Sequence, residues 1–132
     1  MAESIERELP ITGGCYCGAI RHRIDQVPIH SEICYCSNCR RAVGAHATSW
    51  VRVNSESFVL LQGELARYRT ETSAWRTFCG TCGTSLTYQH DEQEREGYLY
   101  VTVGGVDRPD LFPPTHRYYE DERLPWDRTA DR

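Results

Sequence analysis

The chain has 132 residues, the size of one domain, and sets 15 Lys and Arg against 19 Asp and Glu for a formal charge of −4. That balance excludes a broadly basic nucleic-acid-binding surface, so no nucleic-acid partner is expected. With 39% hydrophobic and 26% charged residues the chain can bury a small core, and it lacks the apolar run of about 18 residues that a membrane helix needs.

Residues 1–10 (MAESIERELP) are charged and carry no apolar stretch of a secretory signal. They read as a solvated tail, and a reducing, cytoplasmic setting is expected. Ile20, His22 and Ile24 then alternate with Arg21 and Arg23, the period of a half-buried strand. Residues 37–43 read as one or two helical turns, with Ser37 as N-cap and Gly44 as stop. Residues 48–53 (TSWVRV) alternate again, and 58–61, 67–69 and 75–78 are short β-rich runs divided by Gly63 and polar turns. Stronger strands at 85–90 and 98–103 flank DEQEREG, which reads as a hairpin loop. A last run covers 115–119, and the pairs Gly104-Gly105 and Pro113-Pro114 punctuate the end. Residues 127–132 read as a second solvated tail. The expectation is one mostly β domain over 11–126, a sandwich or barrel-like fold with one short helix after the middle cysteine cluster.

Seven cysteines are the anomaly, because an odd number cannot pair completely within one chain. Clustered thiols in a reducing setting are most simply metal ligands or catalytic groups. Cys79 and Cys82 form C-x-x-C-G, a turn that lets two sulfurs address one metal. A structural zinc takes four tetrahedral ligands, and the glycine-flanked Cys15 and Cys17 are the natural second pair. The alternatives are a redox dithiol at Cys79 and Cys82, and two merely buried thiols at Cys15 and Cys17.

The middle set, Cys34, Cys36 and Cys39, puts three thiols in six residues. Three protein ligands with a fourth position open is the formula of a catalytic zinc. The following helix would favour the thiolate forms. A closed site completed by a histidine, or a redox-active cysteine, stays open. His46 is the nearest downstream histidine, and an ordinary histidine role is expected for it. Arg40 and Arg41 follow the triplet and are candidate contacts to substrate carboxylates, or else a solvated helix face. Trp50, Trp75, Trp126 and the tyrosines at 98, 100, 118 and 119 are expected to pack rather than to form a recognition surface.

The ordered motifs GGCYCGAIRHRI, CYCSNCRRAVGA, FCGTCGTSL, VTVGGVD and HRYYEDERLPW resemble the glutathione-dependent formaldehyde-activating enzyme family, whose domain is shared with centromere protein V. The resemblance spans 11–126. It implies a β-tent-like zinc fold with a structural zinc on Cys15, Cys17, Cys79 and Cys82. It further implies a second zinc on Cys34, Cys36 and Cys39, hence two per chain, the second open to partial occupancy because it has three ligands. The reaction it implies joins glutathione to formaldehyde to give S-(hydroxymethyl)glutathione, a carbon–sulfur lyase or synthase step. A zinc already carrying three thiolates is a weak Lewis acid, so positioning of a substrate thiolate is favoured over carbonyl activation. Two other classes compete with it. One is a non-catalytic zinc module that binds a protein partner. The other is a thiol redox enzyme, similar in fold to the B-type methionine sulfoxide reductases.

Overall fold

The computed structural model describes residues 2–128. The chain runs through α1 (Ala2–Glu8), β1 (Ile11–Gly14), β2 (Arg21–Ile24), β3 (His30–Cys34), α2 (Ser37–Val43), β4 (Thr48–Asn54), β5 (Phe58–Gln62) and β6 (Leu65–Arg69). It continues with β7 (Ala74–Cys79), β8 (Ser85–His90), α3 (Asp91–Glu96), β9 (Tyr98–Thr102) and β10 (His116–Tyr118). Strands β1, β2 and β5 make a three-stranded antiparallel sheet. The other seven form a second sheet in the order β10-β3-β4-β9-β8-β7-β6. In that sheet only β10 lies parallel to its neighbour, β3. The mostly β, single-domain expectation therefore holds.

The strand pattern follows from the side chains. In β2, His22 and Ile24 are buried while Arg21 and Arg23 reach outward, as their alternation requires. β4 differs, because Trp50 and Val51 are both buried. It is a central strand with both faces covered. Val51 and Val53 join Ile11, Ile24 and Val101 in the main core. Trp50 packs on the opposite face with Cys34 and Cys39, against Tyr88 and Tyr100. A third cluster, Ile20 and Leu86 with Cys15 and Cys79, ties the two sheets together near the outer cysteines.

Gly13 lets two segments meet: a Cβ there would fall 2.6 Å from the Gly105 carbonyl oxygen and from His22 Cε1. A bridge between Gly13 and Val106 uses that closeness. Gly44 ends α2 in the left-handed region at φ 76°, and its N–H is donated to the Arg40 carbonyl.

Several expectations change. The N-terminal residues are not a solvated tail, because Ala2–Glu8 is helical and Ile5 lies in the main core. One apolar residue among charges leaves no periodicity to read, and tertiary packing supplies the stability that sequence pattern does not advertise. Asp127 likewise is 3% exposed although it was expected in solvent, while residues 129–132 lie outside the described residues. DEQEREG does connect two paired strands, but as a helix capped by His90 and closed by Gly97 at φ 85°. A histidine N-cap and an all-polar turn carry no amphipathic signal. The single expected helix is thus one of three α-helices among the described residues. Its N-cap is Cys36 rather than Ser37. Strands β1 and β3 carry no two-residue period in their sequence, because glycines end the first and a cysteine ends the second.

Candidate metal centres

Cys15 and Cys17 lie in the turn after β1, and Cys79 ends β7 with Cys82 in the turn beyond it. Their four sulfurs lie within 4.8 Å of one another. Cys15 Sγ is 3.6 Å from Cys17 Sγ, which is 3.7 Å from Cys79 Sγ. Tetrahedral zinc with bonds of about 2.3 Å needs sulfurs about 3.8 Å apart, so the set fits the metal. The Ile20 amide donates to Cys15 Sγ at 3.2 Å, and the Thr81 and Cys82 amides point to Cys79 Sγ at 3.4 Å each. Such donors favour thiolates. The Thr84 hydroxyl, 3.3 Å from Cys82 Sγ, leads the contacts that bring the Cys82 thiol down to about 5. The pairs come from segments 62 residues apart, so a metal here would close a long loop.

The second set is built locally. β3 delivers Cys34, Tyr35 is fully buried and anchors the turn, and Cys36 caps α2 by accepting the Cys39 amide at 3.2 Å. The three sulfurs again lie within 4.8 Å. Their protons are shared unequally. The Cys34 thiol contact, followed by Arg76, holds Cys39 at about 5 against the opposing effect of burial. Contact with Cys39, then burial, pushes Cys34 up. The Arg76 guanidinium points Nη2 at Cys39 Sγ from 3.6 Å and lies over the Tyr88 ring, 4.7 Å from its centroid.

These sulfurs face a cavity of about 350 Å³. Its floor is a band across five neighbouring strands: Glu32, Trp50, Tyr100, Tyr88 and Arg76, with Tyr100 set two residues along from the partner of Trp50. Glu32 pairs with Trp50, Tyr88 with Tyr100, and Arg76 with Tyr88 in the strand registers. Tyr118, Tyr119 and Glu122 complete the rim from the C-terminal segment. Burial pushes the Glu32 carboxyl up to about 7, and His30 Nε2 lies 2.7 Å from its Oε1.

Arg40 and Arg41 sit in the last turn of α2 and do not line this cavity. Arg41 instead lines a neighbouring one, beside Arg76. The cation at the sulfurs is Arg76, which arrives from a strand 37 residues away. His46 joins neither sulfur set; it faces Asp127 at 3.5 Å and Trp126 at 5.2 Å between ring centroids. Trp50 packs as expected, and Trp75 lies under Arg67 and Arg69. Tyr100, Tyr118 and Tyr119, expected only to pack, form cavity wall. A strand period could have placed Arg76 on the face opposite Trp75, but only sheet order puts that face over the triplet.

No helix of the described residues is long and apolar enough to cross a membrane. The fold is similar to a crystal structure of a Rhodobacter sphaeroides protein, a structural genomics target, with a TM-score of 0.62 and 25% sequence identity. That likeness covers 81% of this chain and 98% of the other. Residues 10–122 match the model of the family described as glutathione-dependent formaldehyde-activating enzyme, over both cysteine sets and the cavity at the triplet. The chain belongs to the glutathione-dependent formaldehyde-activating enzyme family.

Proposed function

We propose that the protein is a zinc-dependent carbon–sulfur lyase or synthase acting on the adduct of a small thiol, such as glutathione, with an aldehyde such as formaldehyde. The observation that carries this reading is the contrast between the sulfur sets. Cys15, Cys17, Cys79 and Cys82 supply all four ligands that a structural zinc takes, whereas Cys34, Cys36 and Cys39 supply three and face a cavity. Two zinc ions per chain would satisfy both. Held by the triplet, zinc would supply positive charge that favours the thiolate form of a substrate thiol.

In the synthase direction the thiol sulfur bonds to the aldehyde carbon, and the proton it loses ends on the former carbonyl oxygen. The lyase direction reverses both changes, so no oxidant is needed. Cys34, Cys36 and Cys39 would hold the metal. Arg76 keeps its guanidinium against Cys39 and fixes the sulfur side of the cavity. The floor of Trp50, Tyr88 and Tyr100 shields the reacting atoms from water on one side.

The test is zinc per chain by elemental analysis, with a thiol–aldehyde condensation assay beside it. The expected result is two zinc ions in the wild type, fewer only if the triplet site is partly filled. Cys36→Ser should lose the triplet's zinc and the activity while keeping the native near-ultraviolet circular dichroism. An unfolded Cys36→Ser protein would make the triplet structural. One zinc beside three reactive thiols would favour redox chemistry at the triplet.

A further inference from the structure

The cavity at the triplet does not end at Arg76. A second cavity of about 510 Å³ shares Asn38, Thr72 and Arg76 with it and adds Arg41, Tyr68 and Glu71. We propose that this second cavity is the subsite for a carboxylate of the thiol substrate, held between Arg41 and Arg76; the inference rests on the thiol reading above.

Charge gives the substrate a direction. A thiol seated at Cys34, Cys36 and Cys39 can extend its tail two ways. One way is lined by Glu32 and Glu122, the other by Arg76 and Arg41. An anionic tail is drawn to the second, where two guanidinium groups stand. Glu32 is already paired with His30, and Glu122 Oε1 accepts the Ser37 amide at 3.1 Å, so the acidic end is built in place.

The basic end has donors to spare. Arg76 uses Nη2 toward Cys39 and one face toward Tyr88, while a guanidinium has five N–H groups. Its remaining edge borders the second cavity. The Arg41 side chain makes no ion pair among the described residues. Glu71 is the acidic side chain lining this second cavity, and it offsets one of the two cations. With Arg76 already facing the Cys39 sulfur, what a carboxylate would meet is the N–H donors of Arg41 and those Arg76 leaves unused, rather than a surplus of charge. Asn38, at the junction of both cavities, adds an amide that can bond either substrate end.

The experiment uses the zinc-loaded full chain and two probes that share one thiol: glutathione and its diethyl ester. Dissociation constants are measured by isothermal titration calorimetry for wild type, Arg41→Gln and Arg41→Glu. Wild type is expected to prefer glutathione by about tenfold, the scale of charge-assisted hydrogen bonds. Arg41→Gln should reduce that preference to within about twofold, with the ester's affinity unchanged, and Arg41→Glu should reverse it. A wild-type protein without the preference, or a preference that survives in Arg41→Glu, overturns the subsite and leaves the thiol reading standing. Failure of both probes to bind a protein carrying two zinc ions overturns the thiol reading, and the subsite with it.

Discussion

His22 offers the sharpest quantitative test of this fold. Its ring is fully buried in β2 beside Phe58, with ring centroids 5.1 Å apart, and neither ring nitrogen has a hydrogen-bond partner among the described residues. Burial is the main reason its pKa falls from 6.5 to about 4, with the Arg21 cation adding to the fall and the Asp107 carboxylate opposing it. The unfolded chain therefore takes up a proton that the native state refuses. The native state keeps its full advantage above pH 6.5 and loses it as the pH falls toward about 4. At ~1.36 kcal/mol per unit the whole loss is about 3 kcal/mol, of which about 2 kcal/mol falls between pH 7 and pH 5. Urea unfolding of wild type and His22→Leu at pH 7 and pH 5 isolates the term. Thiol protonation and metal release act on both proteins, so the difference between their pH slopes belongs to the histidine. At pH 7 the variant should match or exceed wild-type stability, because it removes unpaired buried nitrogens. At pH 5 it should lead by about 2 kcal/mol more than at pH 7. Parallel pH profiles would refute the burial argument.

Other outcomes follow from the same structure. Leu86, fully buried among Cys15, Ile20 and Cys79, should cost about 2–5 kcal/mol when replaced by alanine, read by urea unfolding. That variant should also release zinc from the outer four sulfurs at lower chelator concentration, since the same packing holds the pairs together. Arg76→Met removes the cation beside Cys39, so protons compete better with metal at the triplet. If each sulfur set holds zinc as proposed, its release on acidification, followed with a chromogenic chelator, should begin at higher pH for the triplet's ion and stay unchanged for the other. Cys79→Ser should destabilise the whole domain, seen as a lower thermal midpoint, whereas Cys36→Ser should spare it. The reason is the span each cluster closes, 62 residues between Cys17 and Cys79 against a local turn for the triplet.

The sequence by itself determined the parts whose physics is local. C-x-x-C with its glycine, C-x-C-x-x-C and the glycines before Cys15 mark sulfur clusters that could hold a metal, because a turn of three or four residues places the sulfurs without help from elsewhere. The same holds for Ser37–Val43, where a left-handed Gly44 stops the helix. It holds too for β2, whose side chains follow the two-residue period closely enough to read. That Cys15 and Cys17 meet Cys79 and Cys82 needed one further step, the demand of zinc for four ligands.

The tertiary structure decided everything that depends on strand order. Sequence-adjacent strands do not simply stack in turn here: β9 inserts between β4 and β8, and β10 joins β3 at the far edge. That order carries Glu32, Trp50, Tyr100, Tyr88 and Arg76 onto one cavity floor, though they come from five separate segments. No local pattern marks Arg76 as the cation at Cys39 over Arg40 and Arg41, which sit next to the triplet in sequence but turn away on the helix. Ile5 and Asp127 are buried for the same reason: each is covered by chain far from it in sequence. Side-chain period and turn chemistry act over a few residues, whereas register and sheet order arise from pairing and burial summed over the whole domain.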